Sequence, residues 1–454
     1  MSSILAKYRN MDMLHGSLWD KIVVFSLPLA LTSILQQLFN AADVAVLGNY
    51  VGEDAVAAVG NNIPIIGLVV NLFVGISLGA NVVVARYLGM RDEGNANQSV
   101  HTAFFLALVM GIVIACIGVP LTDYFVGLLK VPDSVFEGAS TYLRIYFMGM
   151  PFMAIYNFEA ALLRSKGDTN TPLLALAIAS VFNIVGNILA VKYFDAGIAG
   201  VALATSMSNA LCALILFIKL RLEKGFLHVN ITEILRPSFR KSKAIVSIGL
   251  PAGIQGMVFA LSNLLIQSAI NSLGTDVMAA SAAAFTIEIN VYCFINAFGL
   301  AATTFVSQNY GANNIERCKK VVRVSFLLDL IVSMICGAFI LIYCRELISL
   351  FSENEKVIEL GILRVFIVVL PEFLSVIMEI LSGTMRGCGY SLPPALATLI
   401  GICSVRVIWL YTVFEAYPTY GSLMAVYGVS WAITALFICY LYFNFRKKYF
   451  VTKI

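Results

Sequence analysis

The stretch RSKGDTNTP (Arg164–Pro172) is a polar, turn-forming patch in a chain otherwise written mostly in Leu, Ile, Val, Ala and Phe. The chain writes the same punctuation again, 222 residues later, as RGCGYSLPP (Arg386–Pro394). Working outward, YLRIYFMGMP (Tyr142–Pro151) resembles ILRVFIVVLP (Ile362–Pro371), and in each case a Glu follows eight residues after the proline, at Glu159 and Glu379. FSLPLA (Phe25–Ala30) matches SIGLPAG (Ser247–Gly253) around Pro28 and Pro251. Gly52 with Ala57-Ala58 matches Gly274 with Ala279-Ala280, and Gly89 matches Gly311. Every offset lies between 220 and 223, so half of the chain is a duplicate of the other half.

Composition says where such a chain lives. Of its 454 residues 60% are hydrophobic and 12% charged, and the mean hydropathy is +0.88. Soluble domains carry roughly 25% charged residues, so about half of the usual solvating surface is missing. The apolar runs are too long and continuous for the alternating strands of an outer-membrane barrel. A spanning helix needs roughly 20 apolar residues, and polar or Gly/Pro breaks divide the chain into twelve: 21–47, 55–85, 97–125, 138–162, 170–193, 196–221, 243–273, 277–306, 316–344, 356–382, 391–415 and 420–446. The first twenty residues lack a signal-peptide pattern and suggest a short amphipathic helix on the membrane surface.

Positive charge gives sidedness. With the N-terminus inside, twenty-three of the thirty Lys and Arg fall on the inner side. Lys130, Lys192, Arg345 and Lys356 fall outside, and Arg144, Arg364 and Arg406 lie within spans. Both termini are therefore expected to be cytoplasmic, in an inner (cytoplasmic) membrane. Six spans per half makes the repeat parallel, with its axis along the membrane normal. The opening patches become the inner turns between the fourth and fifth helices of each half, Arg marking the helix end while Gly and Pro turn the chain. The expected architecture is all-α: an N-terminal lobe over 1–221, a cytoplasmic linker over 222–242 and a C-terminal lobe over 243–454. Two parallel bundles suit alternating access by rocking; a receptor, scaffold or membrane enzyme has no need of that symmetry.

Several chemistries are excluded. The nine cysteines are scattered, without a C-x-x-C pair, and the three histidines lie far apart, so neither a zinc nor a redox site is implied. A net charge of +4 indicates no nucleic-acid partner. No enzymatic centre and no cofactor are expected, and lipid is the natural surround of a chain expected to be monomeric.

Intramembrane acids need a reason, because each costs roughly 2.5–3.5 kcal/mol on insertion scales. Gln36, Asn40 and Asp43 share one face of helix 1 by i, i+4, i+7 spacing. Asp43 reads either as an interfacial acid or as a cation or proton site. Asn183 and Asn187 share a face of helix 5, and Thr205 lies in helix 6. All lie roughly 5–10 residues from their outer ends, so at 1.5 Å per residue they occupy one slab. One carboxylate with amide and hydroxyl oxygens makes a weak hard-cation site, so Asp43 is the candidate Na⁺ ligand or proton acceptor. In the second lobe Glu288 and Arg406 have similar depth and opposite sign. They are expected to pair, either bracing the lobe or serving substrate binding or gating. Gln255, Ser262 and Asn263 form a polar stripe on helix 7. Glu159 and Glu379 are expected to pair locally with Arg164 and Arg386. Gly75 and Gly79 give a small-xxx-small spacing for close helix packing.

The chain resembles the MATE (multidrug and toxic compound extrusion) family. The matching features are the early LP of helix 1, NAADVAVLGNYVGEDAVAAVG (Asn40–Gly60), ARYLGMRD (Ala85–Asp92), LLRSKGDTNTP (Leu162–Pro172), GIAGVALATSMSN (Gly197–Asn209), FVSQNYGANN (Phe305–Asn314) and TMRGCGY (Thr384–Tyr390). The resemblance implies twelve helices in two lobes and export of organic, often cationic, amphiphiles driven by inward flow of Na⁺ or H⁺. It also implies an acid at Asp43. Members with a developed cation site commonly have Asp where this chain has Asn187, and some place an acid where Phe259 stands. With a single carboxylate Na⁺ binding is weakened while Asp43 stays able to take up a proton. The alternative within the superfamily, a flippase for lipid-linked oligosaccharides or lipid precursors, usually lines its cleft with several Arg and Lys; here only three arginines fall inside spans.

Overall fold

The computed structural model describes residues 11–129 and 131–450, and among them the regular structure is helical throughout. Twelve long helices follow in order: α1 (Trp19–Tyr50), α2 (Ile63–Gly89), α3 (Glu93–Gly118), α4 (Asp133–Lys166), α5 (Asn170–Lys192), α6 (Gly197–Arg221), α7 (Phe239–Ser272), α8 (Thr275–Gly311), α9 (Ile315–Ile342), α10 (Glu355–Gly387), α11 (Leu392–Phe414) and α12 (Tyr420–Tyr449). Eleven are long and apolar enough to cross a membrane. The other is α4, which at 34 residues has ample length. Its apolar stretch is diluted by Arg144, Asn157, Glu159 and a run of tyrosines, and it packs against α2, α3 and α6.

The repeated turns are built alike. After α4, Gly167 adopts φ 101°, with Gly167 N–H donating to the Arg164 carbonyl (2.9 Å) and Asp168 N–H to that of Leu163 (3.1 Å). After α10, Gly389 adopts φ 84°; its N–H donates to the Arg386 carbonyl (2.8 Å) and Tyr390 N–H to that of Met385 (2.9 Å). Both are Schellman closures, which satisfy terminal carbonyls at a left-handed residue and so favour glycine. Asp168 then accepts from Thr171 N–H (3.0 Å) and Oγ1 (2.6 Å), starting α5. In the second turn Pro393 and Pro394 take that place.

Packing divides the chain into two compact units. Unit 1 holds Leu31–Gly253; unit 2 holds Met13–Ala30 and the chain from Ile254 onward. Both dividing points lie two residues beyond a proline, Pro28 in α1 and Pro251 in α7. A proline removes a helical hydrogen bond and frees the helix to bend. The units thus differ from a division in chain order by exchanging the first halves of α1 and α7.

In unit 1, α2 and the first half of α7 approach through the glycines noted in the sequence. A Cβ on Gly75 would lie 2.1 Å from the Gly253 nitrogen, and one on Gly79 would lie 2.2 Å from the Ile245 carbonyl oxygen. The 222–242 connector contains a short helix, Ile231–Ile234, and is tied to α3. Asn97 Nδ2 donates to the Phe226 and His228 carbonyls (2.8 and 2.9 Å), and Asn230 N–H donates to His101 Nε2 (2.9 Å). Near the N-terminus, the helix expected over the first twenty residues is not formed where it is described: residues 11–18 are irregular. Arg317 holds them through the carbonyls of Met13, His15 and Gly16 at 2.9–3.1 Å. Residues 1–10, including Lys7 and Arg9, and also Lys130 and Lys453, lie outside the described residues. The second span also begins later than expected. Glu53–Gly60 is a helix of its own, and α2 starts after Asn61-Asn62, where Asn62 Nδ2 turns to the Ala58 and Ala139 carbonyls.

Candidate ion and substrate site

In unit 1, α1, α5 and α6 bring the four residues of the expected slab into one hydrogen-bonded cluster. Asn187 Nδ2 donates to Asp43 Oδ1 at 2.6 Å and Thr205 Oγ1 donates to Asp43 Oδ2 at 2.8 Å. Asn183 Nδ2 donates to Thr205 Oγ1, and its Oδ1 accepts from Asn187, both at 3.2 Å. The i, i+4 spacing of the asparagines makes the last contact possible. Asp43 is 3% exposed, and both asparagines are fully buried. Each hydrogen bond to a charged group contributes about 1.5–3 kcal/mol, which offsets part of the cost of burying the acid. No salt bridge to Asp43 is found among the described residues, so its negative charge is held by neutral dipoles alone. From α4, Tyr142 and Tyr146, stacked at 5.9 Å, lie within Coulombic range of the carboxylate. Sequence reasoning missed them, although their i, i+4 spacing in YLRIYF was a signal.

Gln36 and Asn40 share the helix but not the burial. Both are exposed, and Gln36 Nε2 donates to the Tyr156 hydroxyl at 3.2 Å. The buried cluster is therefore Asp43, Asn183, Asn187 and Thr205, with Gln36 and Asn40 outside it.

Unit 2 corrects the expected pairing of Glu288 with Arg406. Glu288 pairs instead with Arg364 in a two-point contact: Arg364 Nε donates to Oε2 (3.2 Å) and Nη2 to Oε1 (2.5 Å). Both side chains are nearly sealed from solvent. α10 presents Arg364 to Glu288 of α8, and Arg406 on α11 is left to other partners. Arg406 is fully buried. Its Nη1 donates to Asn263 Oδ1 (2.6 Å), and its guanidinium carbon lies 4.5 Å from the Tyr427 ring centre and 5.2 Å from that of Phe259. Gln255 lies apart from this group, donating to Thr398 Oγ1 (3.2 Å).

The local glutamate pairs divide. Glu379 accepts from Arg386 at 3.1 Å, as expected. Glu159 does not pair with Arg164; it is fully buried and neither carboxyl oxygen has a hydrogen-bond partner. Unit 2 also buries Asp329 and Glu372. Ser333 Oγ donates to Asp329 Oδ1 at 3.1 Å. Neither acid was singled out in the sequence, although a lone Asp in FLLDLIV is the kind of intramembrane charge that needs a reason.

A cation at Asp43 would have oxygens from Asp43, Asn183, Asn187 and Thr205 as ligands, a donor set suited to a hard cation. As arranged, however, Asn187 turns its NH₂ to Asp43 and leaves its own Oδ1 without a partner. A metal ion there requires that amide to reverse. A proton requires less: Oδ2–H can donate to Thr205 Oγ1 once the threonine hydroxyl rotates.

A repeated set of spanning helices around a buried, dipole-held acid defines a multi-pass membrane transporter. The family model MatE matches residues 28–189 and again 251–412, and the chain belongs to that family. Both matches begin at the helix prolines Pro28 and Pro251, an independent view of the duplication. The chain is 28% identical to the probable multidrug resistance protein YoeA of Bacillus subtilis, over 96% of each. It is 27% identical to the probable multidrug resistance protein NorM of Thermotoga maritima, over 85% of this chain and 84% of that one. A multidrug resistance MATE transporter solved in an outward-facing conformation superposes with a TM-score of 0.88 at 22% identity, covering 97% of this chain and 99% of that one.

Proposed function

We propose that this chain exports organic amphiphiles, cations among them, by alternating access, in exchange for protons taken up at Asp43. It would do so as a monomer in the cytoplasmic membrane, with both termini on the inner side. The carrying observation is an acid 3% exposed whose two oxygens are held only by neutral donors. Such an acid can change charge without breaking an ion pair, so its protonation is free to follow the solution it faces. A coupling ion shifts a conformational equilibrium only through its differential affinity for the two states, and a single acid gives proton and cargo one shared switch. Na⁺ coupling has the same residues available but requires Asn187 to reverse its amide.

A phosphate cargo of the flippase kind is not favoured. Of the arginines within spans, Arg364 is engaged by Glu288, and Arg144 by Asp123 at 2.9 Å. That leaves one guanidinium without an acid rather than a cluster.

The test is dye release from proteoliposomes holding the pure protein. An imposed pH gradient is expected to drive release of a cationic dye, and Asp43→Asn to reduce it to the rate of empty vesicles. Release driven by a Na⁺ gradient at matched pH, and not by the pH gradient, would replace the proton with Na⁺. Undiminished release by the Asn variant would remove Asp43 from the mechanism.

A further inference from the structure

Arg406 is the largest fully buried side chain among the described residues. Two of its nitrogens, Nε and Nη2, have no hydrogen-bond partner. Nη1 meets only the neutral Asn263 Oδ1, at 2.6 Å. No salt bridge to Arg406 is found among the described residues. Ring contacts with Tyr427 and Phe259 attract a guanidinium but do not neutralise it. An uncompensated buried charge is among the most costly arrangements a protein can contain, and burial is normally tolerated only with pairing.

The acid expected to pair with it, Glu288, is already held at two points by Arg364. Tyr427 places its ring against both arginines, at 5.9 Å from Arg364 and 4.5 Å from Arg406. Two guanidinium groups therefore share that ring, and of the two Arg364 is the one paired with an acid. The backbone is also irregular here. The single α-helical turn carrying Arg406, Val405–Trp409, sits between two π-helical stretches, Leu399–Ser404 and Leu410–Phe414. Such bulges within helices occur frequently at functional sites.

We propose that Arg406 is an anion-binding residue, whose Nε–H and Nη2–H donate side by side to a compact anion. That anion is a carboxylate carried by a transported compound or a free halide. A planar guanidinium edge matches a carboxylate at two points. The site lies wholly in unit 2 and does not depend on the proton assignment at Asp43.

The experiment is thermal unfolding of the full-length protein in detergent, titrated at constant ionic strength with sodium benzoate, sodium bromide or, as the inert reference, sodium gluconate. Wild type is expected to show a saturable stabilisation by benzoate, bromide or both. Benzoate acting at lower concentration assigns the site to a carboxylate; bromide acting at lower concentration assigns it to a halide. Arg406→Met is expected to weaken the effective anion at least about tenfold. Should that variant not fold, Asn263→Asp supplies an internal carboxylate to the guanidinium and is expected to weaken the anion at least as much. No saturable response in wild type, or one of equal concentration dependence in either folded variant, overturns the proposal.

Discussion

In unit 1 a buried carboxylate is surrounded by neutral donors; in unit 2 a buried guanidinium is surrounded by a neutral acceptor and two rings. The two matched stretches of the repeat end at residues 189 and 412. They end in α5 and α11, the helices that carry Asn183 and Arg406. One helix of a duplicated scaffold thus holds amides beside an acid and, in its twin, a cation without one. Duplication preserved the turns and prolines, which the backbone requires, while the polar interior of each copy diverged in sign. Architecture and chemistry therefore come from different residues of the same repeat and can be broken separately.

The largest expected effect tests whether the two buried charges are held in different ways. Glu288→Gln leaves Arg364 sealed in unit 2 without its partner, and breaking such a pair costs about 3–5 kcal/mol. Its melting in detergent should fall sharply, while Glu288→Gln combined with Arg364→Met recovers much of the loss. By contrast Asp43→Asn removes a charge that no cation balances, and should change stability by no more than about 1 kcal/mol while stopping transport. Equal stability losses at the two sites would erase the distinction between them.

Within unit 1, Thr205→Val removes the hydroxyl that both donates to Asp43 and accepts from Asn183. Proton-driven release should fall about tenfold, the equivalent of about 1.4 kcal/mol for one lost hydrogen bond, and Thr205→Ser should restore it. A Val variant with wild-type rates would mean that the hydroxyl is packing only. Smaller again is the contrast between the twin glutamates. Glu379→Gln weakens a part-buried pair with Arg386 and should cost about 1 kcal/mol. Glu159→Gln replaces a carboxyl that has no hydrogen-bond partner and should cost nothing measurable in the same melting experiment.

How far the sequence could be read follows from what each feature depends on. The turns at Gly167 and Gly389 were legible because a left-handed residue followed by a helix start is a local matter of Gly, Asp and Pro. The Asp43 cluster was legible because helical phase and depth suffice when donors sit at i, i+4 on one helix and at one level on its neighbours. Glu288 shows the limit. Counting residues from a helix end does not choose the partner: which arginine meets the acid depends on the rotation of α10 and α11 about their axes, which packing alone decides. Glu159 and Glu379 differ in spacing: Arg386 follows Glu379 by seven residues, two helical turns along one face, while Arg164 follows Glu159 by five, on another face, and only the Glu379 pair closes. Gln36 and Asn40 share the phase of Asp43 yet are exposed, since a face on one helix does not say where its neighbour ends. The exchange of half-helices at Pro28 and Pro251 was not legible, because a proline permits a bend without stating which side each half will pack on.

The smallest effect concerns the starts of α3 and α9, where the repeat conserved shape and changed charge. Arg91 and Asn313 both adopt left-handed backbone, at φ 57° and 55°, and the next residue caps the helix. Asp92 accepts from Asn95 N–H at 3.0 Å, and Asn314 accepts from Arg317 N–H at 3.0 Å. Hydrogen bonds from the side chain and backbone of Asn95 hold the Asp92 carboxyl below its usual range. A carboxyl depressed by folding contributes stability that is full above its unfolded value, about 3.9, and is lost as pH falls through the folded value. The Asn314 cap carries no such dependence. Hydrogen exchange over the first turn of α3 should therefore be a few-fold faster in Asp92→Ala than in wild type at pH 7. At the lowest pH the folded protein tolerates, that difference should shrink, while the corresponding difference for Asn314→Ala at α9 stays constant. If both differences held across the range, the caps would act through shape alone, and at the helix starts the sign divergence between the two copies would have no consequence.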